Sequence, residues 1–225
     1  MTATARRPVT SDAAPAASGG RGLRAVLLAV IAVGLVALGG ALAVGLGIGR
    51  QDAPTADSVD AGFARDMSTH HLQAVEMANL ARDRSTDPDV RQLAFDIAET
   101  QQNQVGRMEG WLSLWGVPVS GGEPMSWMAG DHTGHMENGL MPGMATEQEL
   151  AQLRTATGTP FDVLFLQLMT RHHQGGSEMA QYAQTHAQEW AVRRLASSIV
   201  ETQTAETGLM VSMLKERGAE PLPAP

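Results

Sequence analysis

The pattern of apolar and polar residues divides the chain into one long apolar segment and a larger region of helical periodicity. Residues 25–49 form an uninterrupted run of uncharged, mostly apolar residues. Because an α-helix rises about 1.5 Å per residue, this run is long enough to cross a hydrocarbon core of about 30 Å. It is longer than the apolar core of a usual secretory signal. The pattern predicts a transmembrane anchor within residues 21–50, preceded by a disordered cytoplasmic tail at residues 1–20.

The charges on either side of this segment indicate its orientation. Arg21 and Arg24 precede the segment, and Asp52 and Asp57 follow it. The positive-inside rule then places the N-terminus in the cytoplasm and the residues beyond 50 outside it, with the chain held in the cell membrane through residues 25–49. A cleaved signal peptide is the alternative, because the sequence from Ala41 to Ala43 has the small residues of a cleavage site.

After a linker at residues 51–57, seam residues recur every three or four positions, the spacing of a buried helical face. The first seam is formed by Phe63, Met67, His70, Ala74, Met77 and Ala81. Asp87 and Pro88 then provide an N-cap and a first helical residue. The second seam is formed by Val90, Ala94, Ile97, Gln101, Gln104, Met108, Trp111 and Trp115. Residues 58–116 are therefore predicted to form a helical hairpin.

The hairpin pattern occurs twice. A shift of 102 positions aligns residues 63–116 with 165–218 without a gap, and 20 of the 54 positions are identical. Thr146 and Glu149 predict a short extra helix at 146–156, with Gly158 as its stop and Thr159-Pro160 capping the next helix. The sequence thus predicts an all-α domain at residues 58–218, an antiparallel four-helix bundle built from two duplicated hairpins, with a tail at 219–225.

Polar residues occupy seam positions where apolar ones are expected. Folding each hairpin about its turn places His70 level with Gln101 and Gln104, and His172 level with Gln203 and Glu206. Met67 and Met108 flank the first level, and Met169 and Met210 flank the second. Met77 and Met179, on the same seams, are further candidate metal ligands. Adjacent histidines on a helix point about 100° apart, so one histidine of each pair, His70-His71 and His172-His173, can face the core and the other a neighbouring groove.

Two interpretations of this polar level are open. Buried polar groups without partners cost about 1–3 kcal/mol each, so these side chains must pair with each other, with water or with a ligand. They form either a structural hydrogen-bond layer that fixes helix register or a metal site. Met67 and His71 lie one turn apart and could hold one ion together.

The segment between the hairpins, residues 117–145, offers a second set of metal ligands. The chain has 13 methionines and no cysteine, so any soft ligand must be Met or His. The candidates in this segment are Met125, Met128, His132, His135, Met136, Met141 and Met144. Glycine and proline are too dense here to build a core, so we expect these methionines not to be ordinary packing. The alternative is a loop that covers the bundle end. Thioether and imidazole ligands favour copper as Cu(I) or Cu(II), although another transition metal would also fit.

Charge and motif content narrow the function classes. Residues 51–225 carry 11 basic and 23 acidic residues, which argues against nucleic acid as a partner. No nucleophile–base pair and no phosphate-binding loop occurs, so nothing in the sequence argues for an enzyme. The partners expected are a metal ion and the membrane, and a homo-oligomer is left open.

The doubled motif resembles that of a bacterial family. Phe63-x3-Met67-x2-His70-His71-x4-Glu76-Met77-Ala78 and its second occurrence at 165–180 are similar to the domain-of-unknown-function family number three hundred and five. The resemblance covers about residues 58–218. It implies a ferritin-like helical bundle, and some members are implicated in periplasmic copper binding and resistance. The first hairpin departs from the pattern because Gln104 stands where the second hairpin has Glu206.

Three functions remain to be distinguished. The first is an extracytoplasmic metal-binding protein that binds or sequesters copper in metal homeostasis or resistance. The second is a ferritin-like di-iron oxidase using Glu76, Glu99, Glu178 and Glu201, although the inward Glu-x-x-His motif of that chemistry is missing from the chain. The third is a non-metal helical interaction module at the membrane surface.

Overall fold

The computed structural model describes residues 19–49, 52–128, 136 and 139–224, and its regular elements are α-helices. These are α1 (Gly19–Gly45), α2 (Val59–Arg84), α3 (Pro88–Trp115), α4 (Glu147–Thr155), α5 (Gly158–His186) and α6 (Trp190–Glu216). The predicted all-α class is confirmed. The chain forms two compact units, one ending at Asp52 and one beginning at Ala53.

The first unit consists of the apolar helix α1. Residues Arg21–Gly45 are long and apolar enough to cross a membrane, and none of this stretch is buried inside protein. Length and composition suit a membrane span and a signal sequence alike. Residues 1–18 of the predicted tail lie outside the described residues.

The second unit contains two helical hairpins, α2–α3 and α5–α6. Asp87 ends the first turn as predicted, because its carboxylate accepts the backbone N–H groups of Asp89 and Val90 and Pro88 is the first residue of α3. The predicted capping box of α4 forms between Thr146 and Glu149.

The prediction for the start of the second hairpin is wrong by two residues. Gly158 does not follow α4 as a stop but begins α5, with a φ of 60°. Thr159 and Pro160 therefore lie inside the first turn of α5 rather than capping it. Proline is tolerated there because the first N–H groups of a helix have no partner within the helix.

The core has two apolar clusters at opposite ends of the bundle. One, here called the entry end, lies where α2 and α6 begin and α3 and α5 end, and includes Phe63, Leu112, Ala183 and Val192. The other, the far end, lies where α2 and α6 end and α3 and α5 begin, and includes Ala81, Val90, Phe165, Leu214 and the α4 residues Leu150 and Leu153. The two hairpins meet chiefly through α2 and α5, which run antiparallel.

A buried carboxylate joins the hairpins at the entry end. Asp60 in the first turn of α2 is fully buried and accepts the backbone N–H groups of Gln188 and Glu189 at 3.0 and 2.8 Å. These two residues precede α6, so Asp60 supplies the acceptors that the beginning of a helix requires. The contact fixes the register of α2 against α6, and thereby the level at which the polar seam residues meet.

Candidate metal centre

Four histidines lie between the two apolar clusters. His70 and His71 on α2 and His172 and His173 on α5 are all 0% exposed. The rings of His70 and His172 lie against each other with 3.8 Å between centroids, and the rings of His70 and His71 are 6.4 Å apart. We call these four residues, with Gln101, Gln104, Gln203 and Glu206, the histidine layer.

The second histidine of each pair carries the side-chain partner. The distance from His71 Nε2 to Gln104 Oε1 is 2.7 Å, and that from His173 Nε2 to Glu206 is also 2.7 Å. The seam pattern predicts these partners level with His70 and His172. Pairing positions across each hairpin predicts the level of the layer along the bundle. The 100° step between neighbouring residues then turns the second histidine of each pair, rather than the first, towards the Gln or Glu of its own hairpin. All four histidines are buried, the second of each pair as fully as the first.

The first histidines face each other and the segment between the hairpins. His70 Nε2 lies 3.0 Å from the carbonyl oxygen of Pro142. Residues 141–144 can approach α5 this closely because a glycine stands on each side of the contact. A Cβ added to Gly175 on α5 would lie 2.0 Å from the Pro142 oxygen, and one added to Gly143 in the segment would lie 2.3 Å from the Arg171 oxygen. The two glycines thus bring backbone against backbone beside the histidine layer.

These hydrogen bonds determine which ring nitrogens carry a lone pair. A carbonyl or carboxylate oxygen only accepts, so Nε2 of His70 and of His173 must be the protonated nitrogen. The Nδ1 atoms of His70, His71 and His173 have no hydrogen-bond partner within the protein. The ring of His172 has no side-chain hydrogen-bond partner and interacts with the backbone of His70. Both polar atoms of the Gln101 amide and Nε2 of Gln203 are also buried without a hydrogen-bond partner within the protein. Hydrogen bonds inside the layer therefore satisfy only part of it, and the buried lone pairs are suited to a ligand.

Burial keeps the imidazoles of His70, His71 and His172 uncharged. It lowers the pKa of His70 to about 4. It also lowers the pKa of His71 to about 3, with a smaller contribution from the neighbouring His70. The pKa of His172 is lowered well below its ordinary value, again chiefly by burial. Neutral imidazole is the form that binds metals, so no proton has to be displaced near pH 7.

The predicted methionine ligands divide between the two ends of the bundle. Met67, Met108 and Met179 belong to the entry-end cluster, whereas Met77, Met169 and Met210 belong to the far-end cluster. Met67 and Met169 each lie one turn before a histidine pair, on the same helical face. The layer is thus bordered by thioethers on both sides.

The prediction that the methionines between the hairpins are not packing residues is wrong. Met125, Met128 and Met141 are at most 6% exposed and belong to the entry-end cluster. Met136 and Met144 are half-buried against the same cluster. His132 and His135 lie outside the described residues.

Asp66 explains how this glycine-rich segment enters the core, and sequence reasoning missed it. Its carboxylate accepts the backbone N–H of Met125 and the indole N–H of Trp127, each at 2.7 Å. Trp127 fills the space above Gly62, where an added Cβ would lie 2.3 Å from the indole ring. Burial raises the pKa of Asp66. The signal available in the sequence was a lone carboxylate one residue before Met67.

The four glutamates of the di-iron alternative do not meet in the core. Within the described part of the chain, no three His, Asp or Glu side chains lie close enough to hold a metal ion together. Glu76, Glu99, Glu178 and Glu201 are exposed, and Glu76 pairs with Arg154 at 2.5 Å. A metal ion in the histidine layer would therefore need a thioether or amide ligand beside its histidines.

Comparison with known proteins identifies relatives of the bundle. The family model DUF305, a domain of unknown function, matches residues 60–214. A presumed secreted DUF305 protein from Streptomyces coelicolor is 49% identical, with a TM-score of 0.69, over 75% of this chain and 99% of that one. A DUF305 fragment from Deinococcus radiodurans is 34% identical, with a TM-score of 0.59, over 70% and 96% of the two chains.

The fold is also similar to that of CopM. The Cu(II)-bound form of CopM is 28% identical, with a TM-score of 0.57, over 71% of this chain and 97% of that one. CopM has also been solved in Cu(I)-bound, Ag-bound and apo forms. No curated protein matches the chain.

Proposed function

This chain belongs to the DUF305 family, and we propose that its bundle binds copper ions at the histidine layer. The observation that carries the proposal is the set of buried, uncharged imidazoles whose Nδ1 atoms have no partner within the protein. Burying these atoms without a ligand would cost about 1–3 kcal/mol for each group. A bound ion would recover that cost.

The donor atoms fit copper better than other metals. Imidazole nitrogen binds both Cu(I) and Cu(II), thioether sulfur binds Cu(I), and the chain has no thiolate. CopM, which shares the fold, has been solved with Cu(I), Cu(II) and Ag bound. The likeness supports copper as the ion for this chain.

The residues of the histidine layer would have different roles in holding the ion. Neutral His70 and His172 would provide ligands at the centre, and Met67 and Met169 would add sulfur from one turn away. His71 and His173 are held through Nε2 by Gln104 and Glu206, and their buried Nδ1 atoms have no partner within the protein. Such outer partners fix the tautomer and orientation of metal-binding imidazoles.

We further infer that α1 anchors the protein and that the bundle lies on the extracytoplasmic side. Arg21 and Arg24 before the apolar stretch and the acidic residues after it support this orientation. The acidic bundle would attract cations on that side. The role would then be to bind or sequester copper outside the cytoplasm, without catalysis.

The experiment is a metal titration of the purified full chain. The metal-free protein in detergent would be titrated with Cu(I), Ag(I), Cu(II) and Zn(II), with bound metal and melting temperature recorded. We expect Cu(I) and Ag(I) to bind more tightly than Zn(II) and to raise the melting temperature more. Equal effects of Zn(II), or no effect of any copper ion, would overturn the proposal.

A further inference from the structure

The entry end of the bundle is unusually aromatic. The chain has four tryptophans and one tyrosine, and all five lie at this end: Trp111, Trp115, Trp127, Trp190 and Tyr182. Trp127 is buried, but Trp190 is 66% exposed. Trp111 and Trp115 are half-buried and stack with 6.3 Å between ring centroids.

Aliphatic side chains extend the same surface. Leu114, between the two stacked tryptophans along α3, is 83% exposed, and Val119 just beyond α3 is 50% exposed. Single exposed apolar residues are ordinary, but a group of them at one end of a bundle marks an interaction surface. We call Trp111, Leu114, Trp115, Val119 and Trp190 the aromatic tip.

Charge does not dominate the tip. The guanidinium of Arg107 lies over the ring of Trp111 at 5.6 Å, and that of Arg194 lies over the ring of Trp190 at 5.5 Å. Both arginines line one surface pocket together with Glu201. Further acidic residues occur at this end of the bundle, at Asp57, Glu109, Glu123 and Glu189. Its partner is therefore recognised by apolar and aromatic contact rather than by net charge.

We propose that the aromatic tip seats in the phospholipid interface of the membrane that holds α1. Tryptophan prefers this interface because its ring is apolar and its N–H remains in contact with polar groups. The entry end also contains the first turn of α2, which is the next helix after α1 in the sequence. Only 13 residues separate Gly45 from Val59. The inference rests on the proposed membrane anchoring, and it is independent of copper binding.

The test uses the tryptophan fluorescence of the full chain in phosphatidylcholine vesicles. Helix α1 contains no tryptophan, so all of the emission comes from the bundle. Lipids brominated on their acyl chains quench a tryptophan only on contact. We expect strong quenching, greater for bromines near the headgroups than near the chain ends, and unchanged by added salt. Trp190→Ala should remove a large share of the quenched emission.

Phe95 provides a matched control at the far end. It is 43% exposed and has the guanidinium of Arg82 at 5.0 Å over its ring, so it reproduces the arginine–aromatic pairing of the tip. The added emission of Phe95→Trp should not be quenched by brominated lipid.

Four results would overturn the proposal. The protein could fail to float with the vesicles, or float with its tryptophan emission unquenched. The added tryptophan of Phe95→Trp could be quenched as strongly as the tip, or the quenching could depend on protein density, which would indicate contact with a second copy. The proposal of copper binding fails only in the metal titration, so the two are separable.

Discussion

The imidazole rings of His70 and His172 lie against each other at the centre of the bundle, with 3.8 Å between their centroids. His70 directs Nε2 to the Pro142 carbonyl, whereas the ring of His172 has no side-chain hydrogen-bond partner and interacts with the backbone of His70. The segment between the hairpins thus makes two equivalent sequence positions unequal.

The close approach of Pro142 to Gly175 gives the first prediction. Gly175→Ala would place a methyl group within 2.0 Å of the Pro142 oxygen, so the segment must move and the hydrogen bond to His70 must break. We expect a loss of about 2–4 kcal/mol in the free energy of unfolding, measured by urea denaturation.

Gly208 on α6 is the matched control, because a Cβ there meets nothing within 4 Å. Gly208→Ala should stabilise the protein by up to about 1 kcal/mol, since alanine favours the helix. Equal effects of the two substitutions would mean that the segment is not seated as described.

The second prediction concerns the residue that differs between the hairpins. Glu206→Gln keeps an acceptor for His173 Nε2 but removes a negative charge beside the layer. We expect the affinity for Cu(II) to fall by about tenfold, within the range known for outer-shell changes. Gln104→Glu, the reciprocal change beside His71, should raise it. Competition titration would measure both, and the same shift in both variants would argue against this role.

The third prediction is a pH dependence. The pKa of His70 is about 4 in the folded chain, below its ordinary value of 6.5. Between these values the unfolded chain binds a proton that the folded chain does not, so stability is complete above pH 6.5 and falls as the pH is lowered towards 4. At about 1.4 kcal/mol per pKa unit, His70 alone contributes on the order of 3 kcal/mol.

Urea denaturation of the metal-free protein across this pH range measures the effect. The double variant His70→Gln/His71→Gln should lose less stability than the native chain between about pH 6.5 and 4. Parallel curves for the two proteins would show that the imidazoles are not held neutral by burial.

The local sequence pattern was enough to predict the helices and the level of the histidine layer along the bundle. The spacing of seam residues such as Phe63 and Ile97 predicts which faces are buried, because burial on a helix follows its 3.6-residue period. The capping residues Asp87 and Thr146 mark helix starts by chemistry that is local to each turn.

The contacts of the site could not be predicted in the same way. The pairing of His70 with Pro142 spans 72 residues, and that of Asp66 with Trp127 spans 61. Nothing near Met125 or Met128 in the sequence indicates a carboxylate that draws them into the core. Gly175 and Gly176 are the feature of the sequence that points to the contact with residues 141–144. Two adjacent glycines weaken a helix, so their presence indicates the close approach of another backbone.

The most direct test of copper binding at the histidine layer compares copper-induced stabilisation in two variants. One replaces His70, His71, His172 and His173 by Gln, and the other replaces Met125, Met128, Met136, Met141 and Met144 by Leu. Copper at a hundred times its Kd should stabilise the native chain by about 2.7 kcal/mol, seen as a rise in melting temperature. We predict that the histidine variant loses this rise and that the methionine variant keeps most of it. A full rise in the histidine variant would contradict the proposal and leave the segment between the hairpins as the site.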